Sequence, residues 1–468
     1  MIVHKFGGTS VGSAGAFARV ADIVVELAGR APEEGRTGTV VVVSAMSGVT
    51  SRLIAGARAA AEGEMDVFQA VKAELLRRHL ETARDLLEGP ERLEASGFVE
   101  DRLHELERLY RSIAVLGEMT RRGCDAVSAF GEQLSSHLLA AVLRARGLRA
   151  RAFSATGLVV TDDHFGGASP LPEPTRSRLR EQVLPAVEQG VVPVITGFIG
   201  ATPAGVTTTL GRGGSDYSAA LIGAGLGADE VWIWSDVNGI LTADPNLVPE
   251  ARTLEELSYG EAASLARFGA EVLHPKTIGP IVASAIPLRL LNTFHPEHAG
   301  TRIVPVPRTD RRRHPAILSA RGFSRVALGC DDDAWSLRWA AEALQRLGDA
   351  GIDVAMFSRS FSERSLTLVV RQPDQAHCLK ALGRAHAGGV DVEEEVATVS
   401  VVGMADPEDA GLVGRALEAV GRHGIRVIAV TQASAQEAVS FCIPEDRMED
   451  MVRFLHAELG LGGNGHGR

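Results

Sequence analysis

From the N-terminus to about residue 305, apolar runs of strand length alternate with amphipathic helical stretches. Ile2–Phe6, Thr39–Val43, Val191–Thr196, Val231–Trp234 and Leu288–Leu291 read as strands. Strands separated by helices predict a mainly parallel sheet of the α/β class. Between Ser51 and Arg146 the pattern is largely helical, with apolar positions three and four apart through Val67–Leu87 and Leu103–Leu116. Gly89-Pro90 and Gly97 are expected to break this stretch into separate helices, and the insertion is expected to cap the sheet.

Near residue 305 the texture changes. Pro305, Pro307, Arg311-Arg312-Arg313 and Pro315 read as a solvated connector. Beyond it the chain repeats: Gly351-Ile352-Asp353-Val354 through Val370 lies on Gly424-Ile425-Arg426-Val427 through Ile443 at an offset of 73 residues (351 onto 424). Each copy follows an amphipathic helix, Trp335–Leu347 or Gly411–His423, and reads as strand, turn, strand. Two β-α-β-β units are the economical reading, each too small to bury much core alone and so expected to pair. The expected organisation is an α/β domain over 1–305, a linker over 306–315 and two small α+β domains over 316–392 and 393–468.

Composition then limits function. The length of 468 residues suits about three domains of roughly 150 each. A net charge of −11 without long charged blocks argues against a nucleic-acid or anionic-membrane partner. No segment approaches the ~18 uncharged apolar residues of a membrane span, and Ile2 opens a strand rather than a secretory h-region. Cys124, Cys330, Cys378 and Cys442 are far apart, so a disulfide scaffold or zinc site is not expected and a reducing cytoplasm is the default. Of 48 basic residues only Lys5, Lys72, Lys276 and Lys380 are lysine. Lysine and arginine differ as point charge and planar fork, which makes each of the four a position to inspect.

Three loops share one design of strand, small residues and helix start: KFGGTSVG (Lys5–Gly12), SAMSGVT (Ser44–Thr50) and TTTLGRGGSD (Thr207–Asp216). Glycines admit a ligand close to the backbone, and amides at a helix start point at anionic oxygens. Hydroxyls of Thr9, Ser10, Ser44, Thr50 and Ser215 offer further donors. Three such loops at the carboxyl edge of one parallel sheet predict a site for an anionic ligand. A P-loop and a Rossmann fingerprint are both missing; Gly223-Ala224-Gly225-Leu226-Gly227 reads as a helix terminus.

Charges sort this site. Arg212, between Gly211 and Gly213, suits a bidentate hold on a carboxylate. Glu132 follows Gly131 at a helix start, where it either binds an ammonium group or favours the helix dipole. Ser235-Asp236 ends a strand and either faces a nucleotide or initiates the turn at Asn238-Gly239. Lys276, in HPKTI before a helix, reads by itself as a surface lysine.

With these residues laid out, the chain resembles the aspartate kinases of the amino acid kinase superfamily over essentially its whole length. The strings that carry the resemblance are KFGGTSVG, SAMSGVT, FGE (Phe130–Glu132), TGFIG (Thr196–Gly200), TTTLGRGGSDYSAAL (Thr207–Leu221), WSDVNGILTADP (Trp234–Pro245) and FGAEVLHPKTI (Phe268–Ile278). The tandem repeat resembles two ACT regulatory domains. The resemblance implies a three-layer amino acid kinase-like domain followed by an ACT pair. It also implies transfer of the ATP γ-phosphoryl group to the side-chain carboxylate of L-aspartate, the first step towards lysine, threonine and methionine.

It further implies roles. Lys5, Arg212 and Asp216 are expected to be catalytic, and Ser44, Thr50, Glu132, Arg212, Ser215 and Asp216 to hold aspartate. Lys5, Phe6, Gly7, Gly8, Ser235, Asp236, Leu241, Asn246 and Lys276 are expected on ATP, with Mg²⁺ held mainly through the nucleotide. Ser360, Ser362, Glu363 and Gln432 are the expected contacts of a feedback effector, lysine or threonine. A homodimer or higher homo-oligomer follows from the same resemblance. Leu241 and Asn246 stand where the family often carries Tyr and Arg, and Ala355 where lysine-sensing members often carry Asp. These departures motivate an alternative, an amino-acid sensor with a relict kinase domain.

Overall fold

Short segments buried on both faces make the central strands. β1 (Ile2–Phe6) is buried along its whole length and pairs in parallel with β2 (Thr39–Val43) and β7 (Glu230–Ser235). The structure, a computed structural model, describes residues 1–30, 38–267, 273–307, 315–329, 337–360, 364–383, 389–403, 411–432 and 438–462. They fall into two units: Met1–Ile240 with Glu255–Ala262 and Glu271–Arg308, and Leu241–Leu254 with Ala263–Ala270 and Thr309–Arg468.

In the first unit the chain continues from β1 through α1 (Ala14–Arg30), β2, and the helices α2 (Val49–Ala61), α3 (Met65–Leu86), α4 (Gly89–Leu116), α5 (Arg121–Ser128) and α6 (Phe130–Ala145). It then forms β3 (Ala150–Phe153), α7 (Pro172–Gln182), α8 (Leu184–Glu188), β4 (Val192–Thr196), β5 (Ile199–Ala201), β6 (Thr207–Thr209), α9 (Gly214–Leu226) and β7. β8 (Glu256–Ser258), α10 (Tyr259–Arg267, of which only the residues to Ala262 belong to this unit), α11 (Pro275–Ala283), β9 (Leu288–Asn292) and β10 (Thr301–Val304) follow. Among the described residues the main sheet runs β3-β4-β2-β1-β7-β9-β10-β8, parallel except where β10 meets β9. α1 and α6 cover one face through a core that includes Ile2, Phe6, Val41 and Trp234; α9 covers the other.

Register places the functional edge. Phe6 sits opposite Val43 and Trp234, and Val43 opposite Thr196. The chain therefore leaves β1, β2 and β4 at one level, at Gly7, Ser44 and Gly197, and leaves β7 one residue later, at Asp236.

Two expectations need correction. Gly97 does not divide the helical insertion; it lies inside α4, whose Ala95, Val99, Leu103, Leu106 and Tyr110 are buried. That packing outweighs the ~1 kcal/mol a mid-helix glycine costs. The third glycine-rich loop follows β6, which pairs antiparallel with β5 in a separate ribbon rather than in the parallel sheet.

In the second unit β11 (Ala316–Gly329), α12 (Leu337–Asp349), β12 (Val354–Ser360), β13 (Ser365–Arg371) and α13 (Gln375–Leu382) make the first copy of the repeat. β14 (Val390–Val402), α14 (Gly411–Arg422), β15 (Ala429–Gln432), β16 (Ala438–Pro444) and α15 (Met448–Glu458) make the second. β13 and β16 lie 73 residues apart at both ends (365 onto 438, 371 onto 444), so the sequence repeat is a structural one. Each copy carries a closing helix beyond the expected β-α-β-β pattern.

The copies share one sheet of order β12-β13-β11-β14-β16-β15. β11 and β14 pair across both copies, with a bulge near Gly322 and Glu395, both at positive φ. Ile317, near the start of β11, is buried with Val399, Phe441 and Val452 of the second copy. The boundary expected at 392/393 thus falls inside a shared strand. Ala243 and Val248 join the same cluster, and Thr242 accepts from the Ile317 N–H at 2.8 Å. Most of the connector, including Arg311–Arg313, lies outside the described residues, as does Cys330. No helix among the described residues is long and apolar enough to cross a membrane.

Candidate active site

The strand ends open into a cleft of about 700 Å³. Lys5, Gly8, Ser44, Thr50, Glu132, Arg212, Ser215, Asp216 and Asp236 all line it. The tertiary fold therefore gathers residues from five distant strings.

Lys5 ends up there because it is the penultimate residue of the central strand, its side chain mostly buried and directed at the first turn of α9. Its Nζ stands 2.5 Å from the Asp216 carboxylate. The loop after β1 is fixed by backbone bonds: Gly7 N–H donates to Trp234 O at 3.2 Å, and Ser47 N–H to Gly8 O at 3.1 Å. Arg78 of α3 spans the same two loops, donating from Nη1 to Ser47 O and from Nη2 to Gly12 O, both at 2.8 Å. The helical insertion thus does more than cap the sheet.

Glu132 is 3% exposed in the first turn of α6. Its Oε1 accepts from the Ala45 N–H at 3.1 Å, while Oε2 has no hydrogen-bond partner among the described residues. Burial pushes its carboxyl up to about 8, opposed by the Ala45 N–H and by the charge of Lys5. Gly131 is required for this approach, since a Cβ there would stand 2.6 Å from the Ala45 side chain. A buried carboxyl with one free oxygen is the group that a ligand ammonium completes.

Across the cleft Arg212 lies between Gly211 and Gly213, both in the left-handed region at φ 78° and 70°. A Cβ at Gly213 would meet His274 at 2.3 Å, so glycine lets the loop pass the end of α11. Lys276 sits inside the first turn of that helix rather than before it, and its Nζ is 3.9 Å from where a Gly211 Cβ would be. Burial, together with the charges of Lys276 and Arg212, holds His274 below the usual imidazole range. Positive charge is concentrated here.

Other expected residues lie elsewhere. Phe6 is fully buried and stacked on Trp234, and it does not line the cleft. The Ser235 hydroxyl accepts from the Val237 N–H at 3.3 Å. Ser10, offered as a ligand donor, is buried against Thr293 Oγ1 at 2.7 Å. Leu241 and Asn246 belong to the second unit, Leu241 bridging Thr253 and Asn246 exposed beside Asp244. Ser360 and Gln432 end β12 and β15; Ser362 and Glu363 lie outside the described residues.

Sequence reasoning missed Asp125, Ser128, Phe198 and Thr209, which also line the cleft. Asp125, Ser128 and Glu132 recur at i, i+3 and i+7 along nearly continuous helix, a polar stripe that spacing alone would have revealed. Phe198 carries no such signal, although its φ of 67° marks a constrained turn.

A three-layer α/β unit whose glycine-rich strand ends converge on cationic side chains defines a member of the amino acid kinase family. The model of that family matches residues 1–292, and an ACT domain model matches 399–459. Aspartokinase 1, chloroplastic, of Arabidopsis thaliana is 30% identical, the match covering 99% of this chain and 80% of the relative. Lysine-sensitive aspartokinase 3 of Escherichia coli is 31% identical over 98% of this chain and 99% of its own. The crystal structure of E. coli aspartokinase III in complex with aspartate and ADP superposes with a TM-score of 0.81 at 29% identity, covering 98% of this chain and 100% of that one. The chain belongs to the aspartokinases.

Proposed function

We propose that this protein is an aspartate kinase, transferring the γ-phosphoryl group of ATP to the side-chain carboxylate of L-aspartate. The observation that carries the reading is the meeting of Glu132, with its buried unpaired oxygen, and Arg212 on one cleft with Lys5 and Asp216. Aspartate presents an ammonium group, an α-carboxylate and a reacting carboxylate, and these residues match all three. Glu132 takes the ammonium, Arg212 the α-carboxylate, and Ser44, Thr50 and Ser215 add hydroxyls. Lys5, Gly7, Gly8 and Lys276 hold phosphate, and Asp236 faces the nucleotide.

The reacting carboxylate is ionised at neutral pH and needs no general base. One of its oxygens bonds to the γ-phosphorus while the bond from that phosphorus to the β,γ-bridging oxygen breaks, giving 4-phospho-L-aspartate and ADP. Two anions must be brought together, so positioning and charge neutralisation supply the rate. Lys5 and Lys276 neutralise the transferring group with the Mg²⁺ that arrives as MgATP, its ligands being mainly phosphate oxygens.

The residues after the connector are read as two ACT domains that share β11 and β14 and bind a free amino acid, lysine in the first instance. Pairing of chains through them is expected. The relict-sensor alternative is not favoured, since Lys5, Glu132, Arg212 and Asp216 are intact and assembled. The test is an acyl-phosphate assay with MgATP, trapping product as the hydroxamate, with aspartate and glutamate in parallel. Aspartate-dependent product is expected; none above background sinks the reading. Titrating lysine, threonine and methionine into the same assay identifies the effector, and if none alters rate or affinity the regulatory reading fails.

A further inference from the structure

We propose that Asp125 is a positioning residue for the acceptor substrate, fixing the loop that carries Arg212. The inference rests on the aspartate kinase reading. Asp125 lies on α5, is 2% exposed and forms no ion pair among the described residues. Its Oδ2 accepts from the N–H of Thr209 at 3.0 Å and of Gly166 at 2.9 Å, and its Oδ1 from Thr209 Oγ1 at 2.7 Å. All three donors belong to two neighbouring segments of the cleft wall. A buried acid so committed stabilises loop position and little else.

What the loop needs is an anchor. Thr209 ends β6, three residues before Arg212, and between them the chain passes through left-handed Gly211. Glycine leaves that backbone free to take several directions. Its course is set at one side by α9, which begins at Gly214, and at the other by Thr209. The Gly166 turn is the surface on which the loop rests, its carbonyl 3.2 Å from the Cβ position of Gly211. Asp125 therefore holds both the loop and its support. It acts on the acceptor through Arg212, while the phosphate loop after β1 is fixed independently, by Arg78 at Gly12 and by the bond between Ser47 and Gly8.

The test is steady-state kinetics of the full chain. Asp125→Ala leaves two buried N–H groups unpaired, and KM for aspartate is expected to rise on the order of tenfold or more while KM for MgATP stays within about twofold. Asp125→Asn can turn its oxygen to the two N–H groups and its amide to Thr209 Oγ1, so it is expected to recover most of the loss. Arg212→Ala is expected to cost less in the Asp125→Ala background than in wild type, because the two act on one contact. If Asp125→Ala is insoluble, Thr209→Val removes a single bond and reads the same split. The proposal is overturned if the aspartate and MgATP constants move together, or if thermal stability falls with KM for aspartate unchanged. A wild-type enzyme that ignores aspartate but phosphorylates another amino acid would sink the functional reading instead. The same ratio of constants, measured on that acceptor, would still judge Asp125.

Discussion

Lys5 Nζ and the Asp216 carboxylate stand 2.5 Å apart, joining the central strand to the first turn of α9. The pair is largely sheltered, so the ammonium is held in one place by a partner on a rigid element. A compact charge with three donors can keep that partner and meet a phosphate; a planar fork cannot sit as closely. Lys5→Met is expected to lower kcat about 10²–10³-fold, by analogy with loss of one oxyanion donor. Lys5→Arg and Asp216→Asn should each also lower kcat. ADP release at saturating substrates measures this, and a near-normal kcat in Lys5→Met would remove Lys5 from the phosphate site.

Glu132 gives the pH dependence. Its carboxyl lies at about 8 in the fold against 4.5 ordinarily, because burial disfavours the charged form. Between these values the native chain keeps a proton that the unfolded chain has released. Its contribution to stability therefore falls as pH rises through that window. Binding of an ammonium needs the ionised form, so kcat/KM for aspartate should rise from pH 6 towards 8. Glu132→Gln should flatten both the stability slope and the kinetic one. A wild-type profile flat across this range would contradict the assignment.

Arg78 makes two charge-assisted bonds to carbonyls of separate loops. Arg78→Ala is expected to raise KM for MgATP by roughly tenfold, from the 1.5–3 kcal/mol typical of such bonds discounted for partial exposure. KM for aspartate should rise as well, because Ser47 lies in the loop that carries Ser44 and Thr50. Guanidinium added to the Arg78→Ala enzyme should restore part of the loss, which a general folding defect would not allow.

The four lysines separate by task. Lys276→Arg should impair turnover, whereas Lys72→Arg and Lys380→Arg should not. Lys72 nevertheless has a partner, Glu107, at 2.5 Å. The Lys72 bond, then that of Arg111, lowers Glu107 from 4.5 to about 2. A depressed carboxylate stabilises the fold above its unfolded value, and that stability is lost as pH falls towards the folded one. Lys72→Met should therefore raise the acid-unfolding midpoint between pH 4.5 and 2 without changing kcat, as circular dichroism and the activity assay would record.

Periodicity and composition determined much of this protein. Apolar runs of strand length and period-3.6 patterns located the five strands and the helical insertion, and the 73-residue offset located both copies of the repeat, because local hydrophobic spacing is what builds such elements. Glycine-rich strings at strand ends marked Lys5, Ser44 and Arg212 as candidates, since few other chemistries need that combination. Spacing could not say which candidates meet. Register did that, aligning Phe6 with Val43 and Trp234 so that three loops open at one level. Tertiary packing turned Ser10 and Phe6 inward and carried α4 through Gly97. It also brought Asp125 to Thr209 across 84 residues and Arg78 to Gly12 across 66. Those last contacts join side chains to backbone groups far along the chain, and a backbone N–H or carbonyl carries no mark in the sequence. The fold alone decides which of them a buried charge will find.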